Sequence, residues 1–238
     1  MYSKNLLAAT LLLAACSLHV PWKDEPVGQE VNVAFTLRKN LVVLSSVTID
    51  GRPGVFLLGT AEQRTLLDAG YAPALPPSSP HALRLNQREA LQFTPVVADL
   101  HGVGDAIVGA DVWGRNSIAI DYRIGIVTFS RLGVERAQMT VFHFAAEPMI
   151  NVSVDGHTVA AAVDTASPDT LVLPRGNAPA GRRAAHVIVG ATDFGNVDVL
   201  FADVTQARVG NRLLSKFLVA IDYGRKQVGL WRDPRTSL

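Results

Sequence analysis

The chain has 238 residues, 48% of them hydrophobic and 18% charged, with a formal net charge of +1. That length supports a sizeable core as one large or two small domains, and the near-neutral balance removes the electrostatic case for a nucleic-acid partner. A single cysteine excludes an intrachain disulfide and a multi-thiolate metal site.

The first elements concern export rather than fold. Residues 1–5 are polar with Lys4, residues 6–15 are an apolar run, and Leu13-Ala14-Ala15-Cys16 closes it. The run is too short to span a bilayer as a helix and fits the apolar region of an export signal. Leu-Ala-Ala-Cys resembles the lipobox of bacterial lipoproteins. That resemblance implies a signal peptide over residues 1–15, lipid on Cys16, and, because Ser17 follows, an outer-membrane anchor facing the periplasm. Two or three acyl chains suffice for stable anchoring. The plain alternative is a secretory signal with an incidental cysteine. Residues 16–30, with Pro21 and Pro26, read as a tether.

Val, Ile, Thr, Gly and Pro then recur in short runs, which predicts a β-rich fold. Val31, Val33, Phe35 and Leu37 alternate with other residues as in a half-buried strand. Residues 41–50 read as a second strand, ended by a turn at Asp50-Gly51. Residues 55–58 are a buried strand running into a turn at Gly59, and residues 72–80 are a Pro-rich loop. Residues 84–100 read as further strands with a hairpin around 86–89. Ile107-Val108-Gly109 leads into a short helix or turn at 110–114, and 117–122 with 125–129 form a hairpin.

The pattern then restarts. Val152-Ser153-Val154-Asp155-Gly156 repeats Val47-Thr48-Ile49-Asp50-Gly51 at an offset of 105, which also carries Gly59-Thr60-Ala61 onto Asp164-Thr165-Ala166 and Thr65-Leu66 onto Thr170-Leu171. Further on the offset is 101, taking Val108-Gly109 to Val209-Gly210 and Ile120-Asp121-Tyr122 to Ile221-Asp222-Tyr223. Residues 187–204 read as a hairpin with a loop at 190–196. A period this long means two domain-sized copies rather than a solenoid, and like halves pack about a pseudo-twofold axis as subunits of a dimer do.

Each half presents in order an apolar strand, an Asp/Gly-Thr-Ala turn, a hairpin, an apolar-apolar-Gly element and a closing hairpin. This order resembles the retropepsin-like and pepsin-like aspartic peptidases over about residues 31–231. The resemblance implies an all-β acid-protease fold with two pseudo-twofold-related lobes around a cleft, 31–135 and 136–238, with flap hairpins roofing the cleft. It makes Asp164 the catalytic candidate. It implies that Thr60 and Thr165 hydrogen-bond across the axis and that Ala166 keeps the turn tight. Ser167 is placed to hold the outer oxygen of Asp164, and Asp169 to meet a bound peptide, although an exposed turn charge is the plainer reading of Asp169. In that family two carboxylates share one proton and activate a water, general acid–base help worth roughly 10²–10⁴-fold.

Three departures stand out. Gly59 occupies the position of the second aspartate. Ala61 and Ala166 stand where the family has glycine, costly only if the backbone needs positive φ. Arg208 replaces an apolar residue of the apolar-apolar-Gly element, whose cleaner version is Ile107-Val108-Gly109. Without a like-charged partner, Asp164 is expected to be an ordinary ionised carboxylate. Glu62 aligns with Ser167 and Asp68 with Leu173, so neither is an obvious substitute. Asp121 and Asp222 read as turn residues, Trp113 and Trp231 as packing, and Arg182-Arg183 as solvated surface. The histidines, His19, His81, His101, His143, His157 and His186, show no ligand spacing, so no metal or cofactor is expected. Two functions follow: a cell-envelope lipoprotein that binds peptide or a protein segment in its cleft with little or no hydrolysis, or an active aspartic endopeptidase that takes a second carboxylate from Glu62, a rearranged loop or another molecule. A monomer is the expected state, because duplicated halves already pair within one chain.

Overall fold

The computed structural model describes residues 30–72, 79–130 and 138–233. Cys16, the tether up to residue 29 and most of the Pro-rich loop lie outside the described residues, while Glu30, the last residue assigned to the tether, is the first of a strand. The first half contributes β1 (Glu30–Arg38), β2 (Leu41–Leu44), β3 (Thr48–Ile49), β4 (Phe56–Leu58), β5 (Leu66–Asp68), β6 (His81–Arg84), β7 (Ala90–Phe93), β8 (Val96–Ala98), β9 (Ala106–Val108), α1 (Ala110–Trp113), β10 (Ser117–Asp121) and β11 (Ile126–Ser130). The second contributes β12 (Thr140–His143), β13 (Met149–Val154), β14 (His157–Val163), β15 (Leu171–Pro174), β16 (Gly181–Val189), β17 (Thr192–Ala202), β18 (Ala207–Val209), α2 (Asn211–Leu214), β19 (Leu218–Asp222) and β20 (Gln227–Trp231).

The strands follow the side-chain alternation. In β1 Val31, Val33 and Phe35 are buried and their neighbours exposed. Its turn into β2 places Lys39 and Asn40 at φ 51° and 61°, the two left-handed residues of a type I′ hairpin. Asp50-Gly51 and Asp155-Gly156 make matched turns with φ near 48° and 80° in each pair. In both, the aspartate Oδ1 accepts a backbone N–H at 2.8 Å, from Ala82 and from His186.

One pairing pattern recurs around each candidate turn. In the first half β4 runs parallel to β9, β9 antiparallel to β5, and β5 parallel to β8. In the second, β14 runs parallel to β18, β18 antiparallel to β15, and β15 parallel to β17. The surrounding closure differs. β13-β14-β18-β15-β17-β16 is a closed barrel, whereas β2, β4, β9, β5 and β8 end an 11-stranded sheet and β3-β6-β7 stands apart. Strands β10 and β19 join the halves through five register pairs, from Ser117↔Asp222 to Asp121↔Leu218. One apolar core runs through both halves, from Phe56, Trp113 and Ile120 to Ile150, Val163 and Ile221.

The structure corrects two sequence expectations here. The strand expected over 41–50 is broken into β2 and β3, because Ser46 takes a left-handed φ of 60° that no strand ladder accommodates. The hairpin expected to roof the cleft is instead barrel wall. Its strands are longer than expected, its turn is only Gly190-Ala191, and β16 pairs with β13 from Val152↔Val189 to Val154↔Val187. A Cβ at Gly190 would lie 3.0 Å from Thr140 Cγ2 on β12, so the turn rests against the outer strand. The hairpins at 86–89 and 117–129 form as expected.

Candidate functional site

Strands β4 and β14 deliver the two turns. Gly59 N–H donates to Val108 O and Asp164 N–H to Val209 O, both at 2.9 Å, so each turn is tied to the end of its neighbouring strand. The turns meet through their threonines. Thr60 N–H donates to Thr165 Oγ1 at 3.2 Å and Thr165 N–H to Thr60 Oγ1 at 3.1 Å. Each hydroxyl in turn donates to a carbonyl of the other half, Thr60 to Val163 O and Thr165 to Leu58 O, both at 2.5 Å. Both residues are fully buried. The lock expected from Thr60 and Thr165 therefore forms, and it places Gly59 and Asp164 side by side. Neither Ala61 nor Ala166 has positive φ, so alanine is unstrained at both.

A layer beneath the turns was not foreseen. Tyr223 Oη donates to Thr60 O at 3.1 Å. Under the second turn Asn211 Nδ2 donates to Thr165 O at 2.7 Å and to Asn40 O at 2.6 Å, while Tyr122 Oη donates to Asn211 Oδ1 at 2.8 Å. Burial pushes both phenols up, helped by the charge of Asp164 for Tyr122 and of Glu147 for Tyr223, so both stay neutral donors. The recurrence of Tyr122 and Tyr223 at the 101-residue offset was the available signal. Gly210 is required by close approach, since a Cβ there would lie 2.4 Å from Asp169 O and 2.7 Å from Ser167 O.

Asp164 is 1% exposed. Its Oδ1 accepts from Ala166 N–H at 2.9 Å and its Oδ2 from Arg208 Nη1 at 3.0 Å. Among the described residues these are the hydrogen bonds of the carboxylate, and no second carboxylate is among its partners. Ser167 instead turns its backbone N–H to Asp164 O at 3.2 Å, and its hydroxyl packs beside Gly210. Burial pushes the Asp164 carboxyl up from its ordinary value, and Arg208 and the Ala166 N–H pull it back only in part. The expectation of an ordinary carboxylate is thus corrected. It counted the absent like charge but not the desolvation of a side chain sealed under its neighbours.

Facing Asp164, Gly59 is crowded. A Cβ built there would lie 2.5 Å from Ile107 Cγ2 and 3.1 Å from Glu62 Cγ. Glu62 extends its stem over the glycine. Burial raises its carboxyl first and the charge of Asp164 second, while Arg208 lowers it and Glu147 adds a smaller rise. Beyond Ile107, Leu41, Val43 and Leu57 form a small apolar cluster. These three line a groove of about 420 Å³ whose rim carries both signs of charge, Arg38, Lys39, Asp68 and Asp105, together with His101. Asp169 is not a free charge. It is ion-paired with Arg182, which also bonds Asp198, so Arg182 is more than solvated surface. Arg183 lies over the Phe201 ring at 3.8 Å. Asp121 and Asp222 cap their turns, accepting from Arg123 and Arg225 N–H as read, and Trp113 is fully buried.

No protein-family model matches the chain, and no curated protein matches it. Among solved structures it is similar to the aspartic proteinase from Irpex lacteus. The identity is 12%, the match covers 87% of this chain and 98% of that one, and the TM-score is 0.58. The chain has the aspartic-proteinase fold. At that identity the likeness carries the fold alone.

Proposed function

We propose that the protein is a peptide-binding member of the aspartic-proteinase fold that hydrolyses weakly or not at all. The observation that carries this reading is the partner of Asp164, a guanidinium and an N–H rather than a second carboxylate, with Gly59 opposite. Hydrolysis on this fold needs one carboxylate to take a proton from water while a protonated one supports the scissile carbonyl. One acid cannot fill both roles. The apolar groove beside Ile107 supports binding, since it accepts a side chain of an extended segment held by strand-like main-chain bonds. Leu13-Ala14-Ala15-Cys16 supports a lipid anchor in the bacterial outer membrane facing the periplasm, with the cleft open to periplasmic peptide or an unfolded protein segment. The lobe boundaries 31–135 and 136–238 belong to the same proposal. The test is proteolysis of unfolded casein at acid and neutral pH. Wild type is expected to match Asp164→Asn, and turnover abolished by Asp164→Asn would overturn the reading.

A second reading rests on Glu62. Its stem lies over Gly59 and its carboxyl feels the charge of Asp164, so it is the candidate second acid of an active endopeptidase. That reading requires wild-type cleavage that Glu62→Gln and Asp164→Asn each abolish.

A further inference from the structure

The role assigned to Arg208 rests on the reading of a hydrolytically silent cleft. Arg208 and Ile107 are matched positions. Ile107 lies beside Leu57 in the β4–β9 register, and Arg208 beside Ala162 in the β14–β18 register. Each therefore sits one residue before the strand end that ties its turn, and each reaches the residue at the turn itself. Ile107 Cγ2 crowds Gly59, and Arg208 Nη1 bonds Asp164. The first half pairs no acid with an apolar neighbour. The second pairs the acid with a base.

We propose that Arg208 is a second, separate block on hydrolysis, because it takes the place of an acid as the partner of Asp164. A working dyad requires a proton shared between two carboxylates. Guanidinium is charged at every accessible pH and occupies Oδ2 of the buried aspartate. An aspartate introduced at position 59 would meet that same cation. A guanidinium between two carboxylates favours the ionised form of both, which works against the shared proton that lets one of them support the carbonyl. Among the described residues, the titratable groups that interact with the pair are Glu62, with Glu147 behind it, and Tyr122. These are acids and a neutral phenol, so replacing Arg208 leaves Asp164 beside acids, the setting in which one proton is shared.

The experiment compares Gly59→Asp/Ile107→Ala with Gly59→Asp/Ile107→Ala/Arg208→Ile. Ile107→Ala removes the Cγ2 atom that a side chain at position 59 would strike. Unfolded casein at acid pH is the probe. The triple variant is expected to cleave faster than the double by about tenfold or more. Equal, substantial rates in both overturn the role of Arg208 and leave the silent-cleft reading standing. A folded triple variant that does not cleave overturns the inference that these positions withhold hydrolysis. Wild-type cleavage lost in Asp164→Asn overturns the underlying reading instead. A readout independent of catalysis is the ¹³C titration of the Asp164 carboxyl. Arg208→Ile alone is expected to move its midpoint up, and an unmoved midpoint overturns the inference whatever the rates.

Discussion

In the first half β4, β9 and β5, which carry Gly59 and Ile107, belong to an open 11-stranded sheet. In the second, β14, β18 and β15 belong to a closed barrel, Asp164 follows the end of β14, and Arg208 on β18 reaches it from a half-exposed position. The strand pairing around the two turns is the same, and so is the threonine lock. What differs is the closure and the chemistry above it. Two single residues mark the breaks on the open side. Ser46 turns left-handed and splits the strand that stays whole as β13, and Pro95, which has no N–H to donate, stands between β7 and β8 where β17 runs unbroken. Fold and chemistry are thus separable here. The lock holds two turns in place whether or not either carries an acid.

The sharpest way to break that comparison is at the lock. Thr60→Val and Thr165→Val should each cost about 3 kcal/mol in denaturant unfolding, since each strands a buried N–H and a buried carbonyl of the opposite half. The two costs should be equal, and the double variant should lose less than their sum because the four bonds form one network. Clearly unequal costs would mean that the halves do not share the lock evenly.

Next in size is the base above the acid. Arg208→Ile should cost about 2 kcal/mol at neutral pH, less than a sealed ion pair because the arginine side chain is 42% exposed. The sign follows from Asp164. Its folded pKa is raised above the ordinary 3.8, and losing Arg208 raises it further. Stability held by the protonated form is present below 3.8 and lost as pH rises through the folded value. The cost of Arg208→Ile should therefore fade on acidification, and Asp164→Asn in the same molecule should remove most of it.

A smaller test uses matched positions on the two short helices. Asp111 accepts from Thr65 N–H at 2.8 Å and Thr65 Oγ1 at 2.7 Å. Its counterpart Arg212 is exposed. Asp111→Ala should cost about 1.5 kcal/mol and Arg212→Ala less than about 0.5 kcal/mol, read from urea midpoints. A further loss, smaller than that of Asp111→Ala, belongs to the layer beneath. Tyr223→Phe and Tyr122→Phe should each cost about 1 kcal/mol, and Tyr223→Phe alone should loosen the Gly59 turn, read by amide shifts at Thr60.

Much of this was legible because it rests on period and turn chemistry. Alternation gave the strands, Asp50-Gly51 and Asp155-Gly156 gave matched turns, and the offset of 105 placed Thr60 opposite Thr165. What escaped depends on three-dimensional closure. Nothing in Ser45-Ser46 announces a left-handed residue, and residues 187–204 look the same as roof or as wall. Arg208 was visible as a departure from an apolar pattern. Its partner was not, because an ion pair 44 residues apart in sequence exists only once β14 and β18 lie side by side. The desolvation of Asp164 has the same origin.

The reciprocal threonine bonds also set a clock on solvent exchange. The N–H groups of Thr60 and Thr165 are buried, and each is held by a side chain 105 residues away in the chain. Neither can be released by fraying of its own strand. Their amide protons should exchange together, and only on the rare excursions in which the two halves part. Two amides thereby report the energy of separating the whole molecule along its middle.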